Sequence, residues 1–145
     1  MNKMVTDEGS SFRAAGEIGA RSERLLSVVV PMRNEQRNIA PLLARLLPVL
    51  DRLDMETEVI CVDAGSTDET VPLLPQRRQR EPRLNIVRLS RNFGKEVALA
   101  AGLAYARGDA VVLMDADLQH PPELIETFVA HWRSGYEMVY GVRRK

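Results

Sequence analysis

The stretch Val111-Val112-Leu113-Met114-Asp115-Ala116-Asp117-Leu118-Gln119-His120-Pro121-Pro122 joins an apolar run to two carboxylates and then ends in a pair of prolines. The apolar run is typical of a buried β-strand, in which side chains two positions apart point to the same side. If the extended geometry continues, Asp115, Asp117 and Gln119 converge into an all-oxygen set that suits Mg²⁺ or Mn²⁺. The alternative is a strand followed by a turn built on aspartate. On these residues alone the turn is the simpler interpretation.

Outward from this stretch, short apolar runs alternate with longer helix-like segments from Leu25 onward. The runs cover residues 26–30, 58–62, 84–89, 110–114 and 138–142. This alternation predicts an α/β fold with a mainly parallel sheet and helices on both faces, because parallel strands are joined by crossover helices.

Four helices fill the intervals between these strands, and each has a candidate end signal. The signals are an Asn38 cap for a helix to about Leu53, a Ser66 and Glu69 capping box, a Gly108 cap after a helix from Lys95, and a start at Pro121-Pro122.

Composition narrows the class of protein. Residues 1–24 mix Gly, Ser, Glu and Arg without periodicity, so they are predicted to form a flexible leader before one domain at 25–145. Twenty basic residues balance twenty acidic ones, which argues against nucleic-acid binding. Cys61 has no partner for an internal disulfide, and no apolar run approaches the ~18 residues of a membrane span. These features predict a cytoplasmic chain.

Charged and polar residues follow each of the first four predicted strands, at 31–35, 63–68, 90–95 and 115–117. The carboxyl ends of parallel strands share one edge of a sheet, where ligands of open α/β folds bind. The chain has neither a P-loop motif nor a G-x-G-x-x-G turn between a strand and a helix. We therefore expect phosphates to be held by a metal ion and by cations such as Lys95, Arg91 or Arg143.

Four segments at these junctions, PMRNEQRNI, VDAGSTDET, LSRNFGKEVALAAGLAYARGD and MDADLQHPPELI, together resemble family 2 glycosyltransferases. The resemblance is strongest to the polyprenyl-phosphate branch, which includes dolichyl-phosphate mannosyltransferases and undecaprenyl-phosphate glucosyltransferases. It covers about Leu25 to the end and implies a Rossmann-like GT-A nucleotide-sugar-binding fold. Relatives continue past the point of Lys145 with an acceptor-binding half and often transmembrane helices, so we expect a truncated domain.

The resemblance also implies roles for individual residues. Asp115 and Asp117 match catalytic, metal-binding carboxylates, with Gln119 as the third member of the metal site. The substrate-binding set is Pro31, Arg33, Glu35, Asp63, Lys95, Asp115, Ala116, Asp117 and Arg143. Within it, Asp63 is expected near the base or ribose and Arg143 near the donor phosphates.

Two departures from the family pattern concern the nucleotide pocket. Arg33 stands where many relatives have an aromatic residue, and Ala64 replaces the second Asp of an Asp-Asp-Gly-Ser motif. The second change leaves the base preference open.

The implied reaction is metal-dependent, inverting transfer of a hexose from a nucleotide sugar of the UDP-glucose or GDP-mannose class. The implied acceptor is a polyprenyl phosphate at the membrane surface, at the inner face of the membrane for a full-length protein. Two alternatives stay open: a family 2 transferase with a hydroxyl acceptor, and a non-catalytic nucleotide-sugar-binding fragment. Whether the chain forms a homo-oligomer is also open.

Overall fold

A computed structural model describes the backbone of residues 3–5, 12–13 and 25–139. Its elements are β1 (Lys3–Val5), β2 (Phe12–Arg13), β3 (Leu25–Met32), α1 (Ile39–Arg52), β4 (Glu56–Asp63), α2 (Thr70–Arg80), β5 (Leu84–Arg88), α3 (Lys95–Tyr105), β6 (Ala110–Leu113), α4 (Leu124–Arg133) and β7 (Tyr136–Val139).

The strands of the described residues form one sheet in the order β2-β7-β1-β6-β3-β4-β5. Every neighbouring pair is parallel except β2 with β7. The longest pairing joins β3 to β4 along their full lengths, from Leu25 opposite Glu56 to Met32 opposite Asp63. The prediction of a mainly parallel α/β sheet is confirmed.

The chain reverses direction across the sheet at β3. It first adds β4 and β5 on one side of β3, and then returns to add β6 on the other side. At such a switch point the connections leave in opposite directions, so a crevice opens beyond the carboxyl ends of the two strands. The topology therefore places a ligand crevice beyond β3 and β6.

Helices cover both faces of the sheet, as predicted. Successive residues of β3 point to opposite faces. Val28 and Val30 join a large core that includes buried residues of α1, α2 and α4, whereas Val29 joins a smaller core with Ala98 of α3. In the described part of the chain no helix is long and apolar enough to cross a membrane.

The N-terminal segment differs from its prediction at two short strands. β1 lies between β6 and β7, and β2 pairs with β7. Strands of three and two residues are too short to show an alternating pattern, so they could not be predicted from periodicity. The boundary between leader and domain at residue 25 stays a prediction.

Two of the predicted helix end signals are wrong, and a third is right in position only. α2 begins at Thr70, four residues after Ser66, and the Thr70 N–H donates to Asp68 Oδ1 (2.9 Å). Asn38 is the N-cap residue of α1, as predicted, but its side chain donates to Glu35 Oε2 (2.6 Å) and makes no capping bond. α3 ends at Tyr105 because Ala106 is extended, and the Gly108 N–H donates to Ser27 Oγ (2.8 Å).

Candidate functional site

A cavity of about 390 Å³ opens at the switch point, beyond the ends of β3 and β6. It brings together most of the residues predicted to bind substrate. Those that line it are Pro31, Arg33, Glu35, Lys95, Asp115, Ala116 and Asp117. Arg143 lies outside the described residues.

Asp115 and Asp117 reach the cavity from the end of β6. The Met114 N–H donates to Val29 O (3.1 Å), so pairing with β3 continues up to the residue before Asp115. The strand geometry ends before Asp117, because residues 116–117 already form a turn, and Leu118 has a φ of +62°, which is rare for leucine. Asp115 therefore follows directly after the last bond to β3, and Asp117 lies in the turn beyond it.

Gln119 is the member of the predicted metal set that the structure does not bring to the cavity. It is exposed, and its N–H donates to Asp117 Oδ1 (3.2 Å). A side-chain oxygen that accepts from the amide two residues on forms an aspartate turn. The turn alternative is thus present in the structure together with the cavity position of Asp117.

Lys95 faces the carboxylates from the first turn of α3. Its Nζ lies 2.6 Å from Asp115 Oδ1, and both residues line the cavity. The Lys95 side chain is 60% exposed and that of Asp115 is 33% exposed, so water screens the pair. The ammonium group of Lys95 therefore contacts one of the carboxylates that the sequence predicts as metal ligands.

Asp63 lies at the end of β4 but does not line the cavity. It is almost fully buried, and Oδ1 accepts from the Ser66 N–H (3.0 Å) while Oδ2 lies 3.8 Å from Arg88 Nε. Its carboxylate shapes the loop after β4, and a direct contact with a base or ribose stays a prediction.

Hydrogen bonds join the loop after β3 to the loop after β4. Asn34 has a φ of +54°, a conformation that asparagine tolerates better than most residues. Its N–H donates to Ser66 Oγ (2.9 Å), and its Oδ1 accepts from the Thr67 N–H (2.8 Å). The Glu35 N–H donates to Thr70 Oγ1 (2.9 Å). These bonds fix the backbone beside Arg33 and Glu35, at the cavity edge.

Sequence reasoning missed part of the cavity wall, namely Met32, Ala64, Asn92, Gly94 and Ala98. Asn92 Oδ1 accepts from the Gly94 N–H (2.9 Å), which turns the chain into α3. The Asn-x-Gly spacing directly before a helix was a signal for this turn. In the sequence, Ala64 differs from the family motif but carries no sign of a position in a cavity wall.

The residues of the cavity fit a divalent cation that is bound partly by the protein and partly by the phosphates of a substrate. Within the described residues no group of three or more His, Cys, Asp or Glu is placed to hold a metal ion. Mg²⁺ commonly binds through one or two carboxylates and completes its shell with water and substrate phosphates. Asp115 and Asp117 supply that number of carboxylates on one cavity wall.

Comparison with known proteins agrees with this architecture. The chain is 31% identical to the mannosyltransferase PcManGT from Pyrobaculum calidifontis, solved with GDP-Man and Mn²⁺, with a TM-score of 0.57 over 74% of this chain and 31% of that one. The fold and the cavity therefore define a transferase domain of GT-A architecture. Residues 27–145 match the model of glycosyl transferase family 2, and the chain belongs to that family.

Two curated relatives extend the comparison. The chain is 54% identical over 119 residues to the uncharacterized glycosyltransferase sll0501 of Synechocystis sp., covering 82% of this chain and 37% of the relative. It is 38% identical over 122 residues to the undecaprenyl-phosphate 4-deoxy-4-formamido-L-arabinose transferase of Edwardsiella ictaluri, covering 83% and 38%. The chain thus spans less than two fifths of the length of these relatives.

Proposed function

We propose that this chain forms the donor-binding part of a metal-dependent, inverting hexosyltransferase that uses a nucleotide diphosphate sugar and a polyprenyl phosphate. The observation that carries the proposal is the placement of Asp115 and Asp117 in one cavity with Pro31, Arg33 and Glu35. Carboxylates opposite a nucleotide-sized cleft suit a donor whose diphosphate is bound through Mg²⁺ or Mn²⁺.

In this proposal different residues of the cavity wall bind the nucleotide and the phosphates of the donor. Pro31, Arg33 and Glu35 contact the nucleotide, and Ala64 leaves room beside them where relatives carry an acid. Ala116, buried between the two carboxylates, brings the backbone close to the diphosphate. Lys95 and Arg143 supply positive charge for the phosphates.

The chemistry to be assisted is departure of the nucleotide diphosphate. Asp115 and Asp117 are the residues that would hold the cation, which when bound neutralises the charge that develops on the leaving group. A polyprenyl phosphate is already anionic near neutral pH, so its attack needs less help from a general base than attack by a hydroxyl does.

The acceptor class is suggested by the arabinose transferase relative, whose name includes undecaprenyl phosphate. Because the prenyl chain of such an acceptor resides in the bilayer, transfer takes place at a membrane surface. We place it at the cytoplasmic face, where nucleotide sugars are supplied.

Incubation of the protein with membranes and radiolabelled UDP-glucose or GDP-mannose tests this proposal. We expect label in lipid that is extractable into organic solvent, and loss of that label with Asp117→Asn. Label in a water-soluble product instead would point to a hydroxyl acceptor. Nucleotide-sugar binding with no labelled product would point to a donor-binding fragment that does not transfer sugar by itself. Absence of both nucleotide-sugar binding and labelled product would contradict the proposal.

A further inference from the structure

We infer that Lys95 is a built-in counter-cation for Asp115 that competes with a divalent cation for this carboxylate, so that binding of the metal and binding of the nucleotide are coupled. This inference rests on the proposed function, because it assigns the Asp115 and Asp117 pair to the donor's cation. It concerns a positioning residue rather than a group that takes part in bond cleavage.

The ammonium group of Lys95 occupies a position beside the Asp115 carboxylate that a bound metal ion would otherwise take. Lys95 Nζ lies 2.6 Å from Asp115 Oδ1, so a divalent cation at this carboxylate would stand close to a second positive charge and be repelled by it. Among the residues that the structure describes, this is the salt bridge of Asp115. A metal that binds Asp115 therefore competes with Lys95.

Lys95 has room to move. Its side chain is 60% exposed. Exposed ion pairs of lysine hold together weakly, typically by about 0.2–1 kcal/mol. A divalent ion can therefore break the pair.

The displaced ammonium stays within the cavity that Lys95 lines. A bound diphosphate offers it new oxygen partners there, so nucleotide and metal both favour the position in which Lys95 is released from Asp115. Two ligands that favour the same side-chain position bind with positive coupling, and the coupling is equal in both directions. With this coupling, the protein binds the divalent cation together with the donor rather than before it.

Titration calorimetry with Mn²⁺ alone, and then with UDP and with GDP in the presence and absence of Mn²⁺, tests the inference. The variant is Lys95→Gln, which keeps a polar side chain but removes the charge. We expect it to bind Mn²⁺ alone about two- to five-fold more tightly than the wild type, as loss of an exposed ion pair allows. We also expect nucleotide to enhance Mn²⁺ binding less than it does in the wild type.

Arg91→Gln is the matched control. It removes the same charge from the loop that leads into α3, where Arg91 lies over the Phe93 ring at 4.7 Å and not on Asp115. A change in Mn²⁺ affinity as large as that of Lys95→Gln would show a general charge effect and overturn the inference, as would unchanged or weaker Mn²⁺ binding by Lys95→Gln. Failure of the proposed function would look different, because the wild type would then bind neither Mn²⁺ nor nucleotide.

Discussion

A Cβ atom on Gly65 would lie 2.6 Å from the backbone nitrogen of Asn92, so the loop after β4 touches the loop before α3 with no space for a side chain. Gly65 also has a φ of +85°, which favours glycine. Ala64 and Asn92, on the two sides of this contact, both line the cavity. The shape of the candidate site therefore depends on this contact.

Gly65→Ala should destabilise the protein by about 3 kcal/mol, because the new methyl group meets backbone atoms and the φ is strained. Gly94→Ala is the control: its φ of +95° is also positive, but a Cβ there meets nothing within 4 Å. We expect about 1 kcal/mol for it. Urea unfolding of both variants measures the difference. Equal losses would mean that the contact with Asn92 does not constrain the loops.

A buried carboxylate on β4, far from the cavity, accepts hydrogen bonds from two other parts of the chain. Its replacement should lower the free energy of unfolding. Glu58 is 3% exposed, and its Oε2 accepts from Ser27 Oγ (2.6 Å) and from the Arg107 N–H (2.8 Å). Glu58→Gln replaces an acceptor that serves two donors, and we expect a loss of about 1–3 kcal/mol in urea unfolding. Glu56→Gln, at the exposed start of the same strand, should change stability by less than about 0.5 kcal/mol. Similar values for the two would contradict this role.

Cys61 should make stability fall at high pH. Burial raises the pKa of the Cys61 thiol from 9.0 to about 12 in the folded protein. Since the unfolded thiol ionises near its ordinary pKa, the contribution of Cys61 is fully present below pH 9 and is lost as pH rises toward 12. We expect the stability advantage of the wild type over Cys61→Ala to shrink between pH 9 and pH 11 in urea unfolding. A constant difference would show that Cys61 is not buried as described.

The repeating pattern was enough to predict the parallel core of the sheet, but not the short strands β1 and β2. Apolar runs fixed the core strands to within a few residues, for example 58–62 within β4. The polar residues at strand ends predicted a shared edge because a parallel sheet has only one carboxyl edge. The pairing of Asp115 with Asp117 in the cavity could be expected for the same reason.

Side-chain partners across loops could not be predicted from local patterns. Ser66 looked like a helix cap, yet its hydroxyl accepts from Asn34, 32 residues away. Asp63 Oδ1 accepts from the Ser66 N–H in the turn after β4, a bond that the motif did not indicate. Competition among such partners depends on how closely the loops approach, which the order of residues alone does not reveal.

The central claim is that Asp115 and Asp117 bind the donor's diphosphate through a divalent cation. Calorimetry with UDP-glucose and with GDP-mannose, each with and without Mn²⁺, tests it most directly. The proteins to compare are the wild type, Asp117→Asn and the control Glu96→Gln, which removes an exposed charge beside Lys95. We predict that one of the two donors binds more tightly with Mn²⁺, that Asp117→Asn abolishes this enhancement, and that Glu96→Gln keeps it. Donor binding that neither Mn²⁺ nor Asp117→Asn alters would contradict the account.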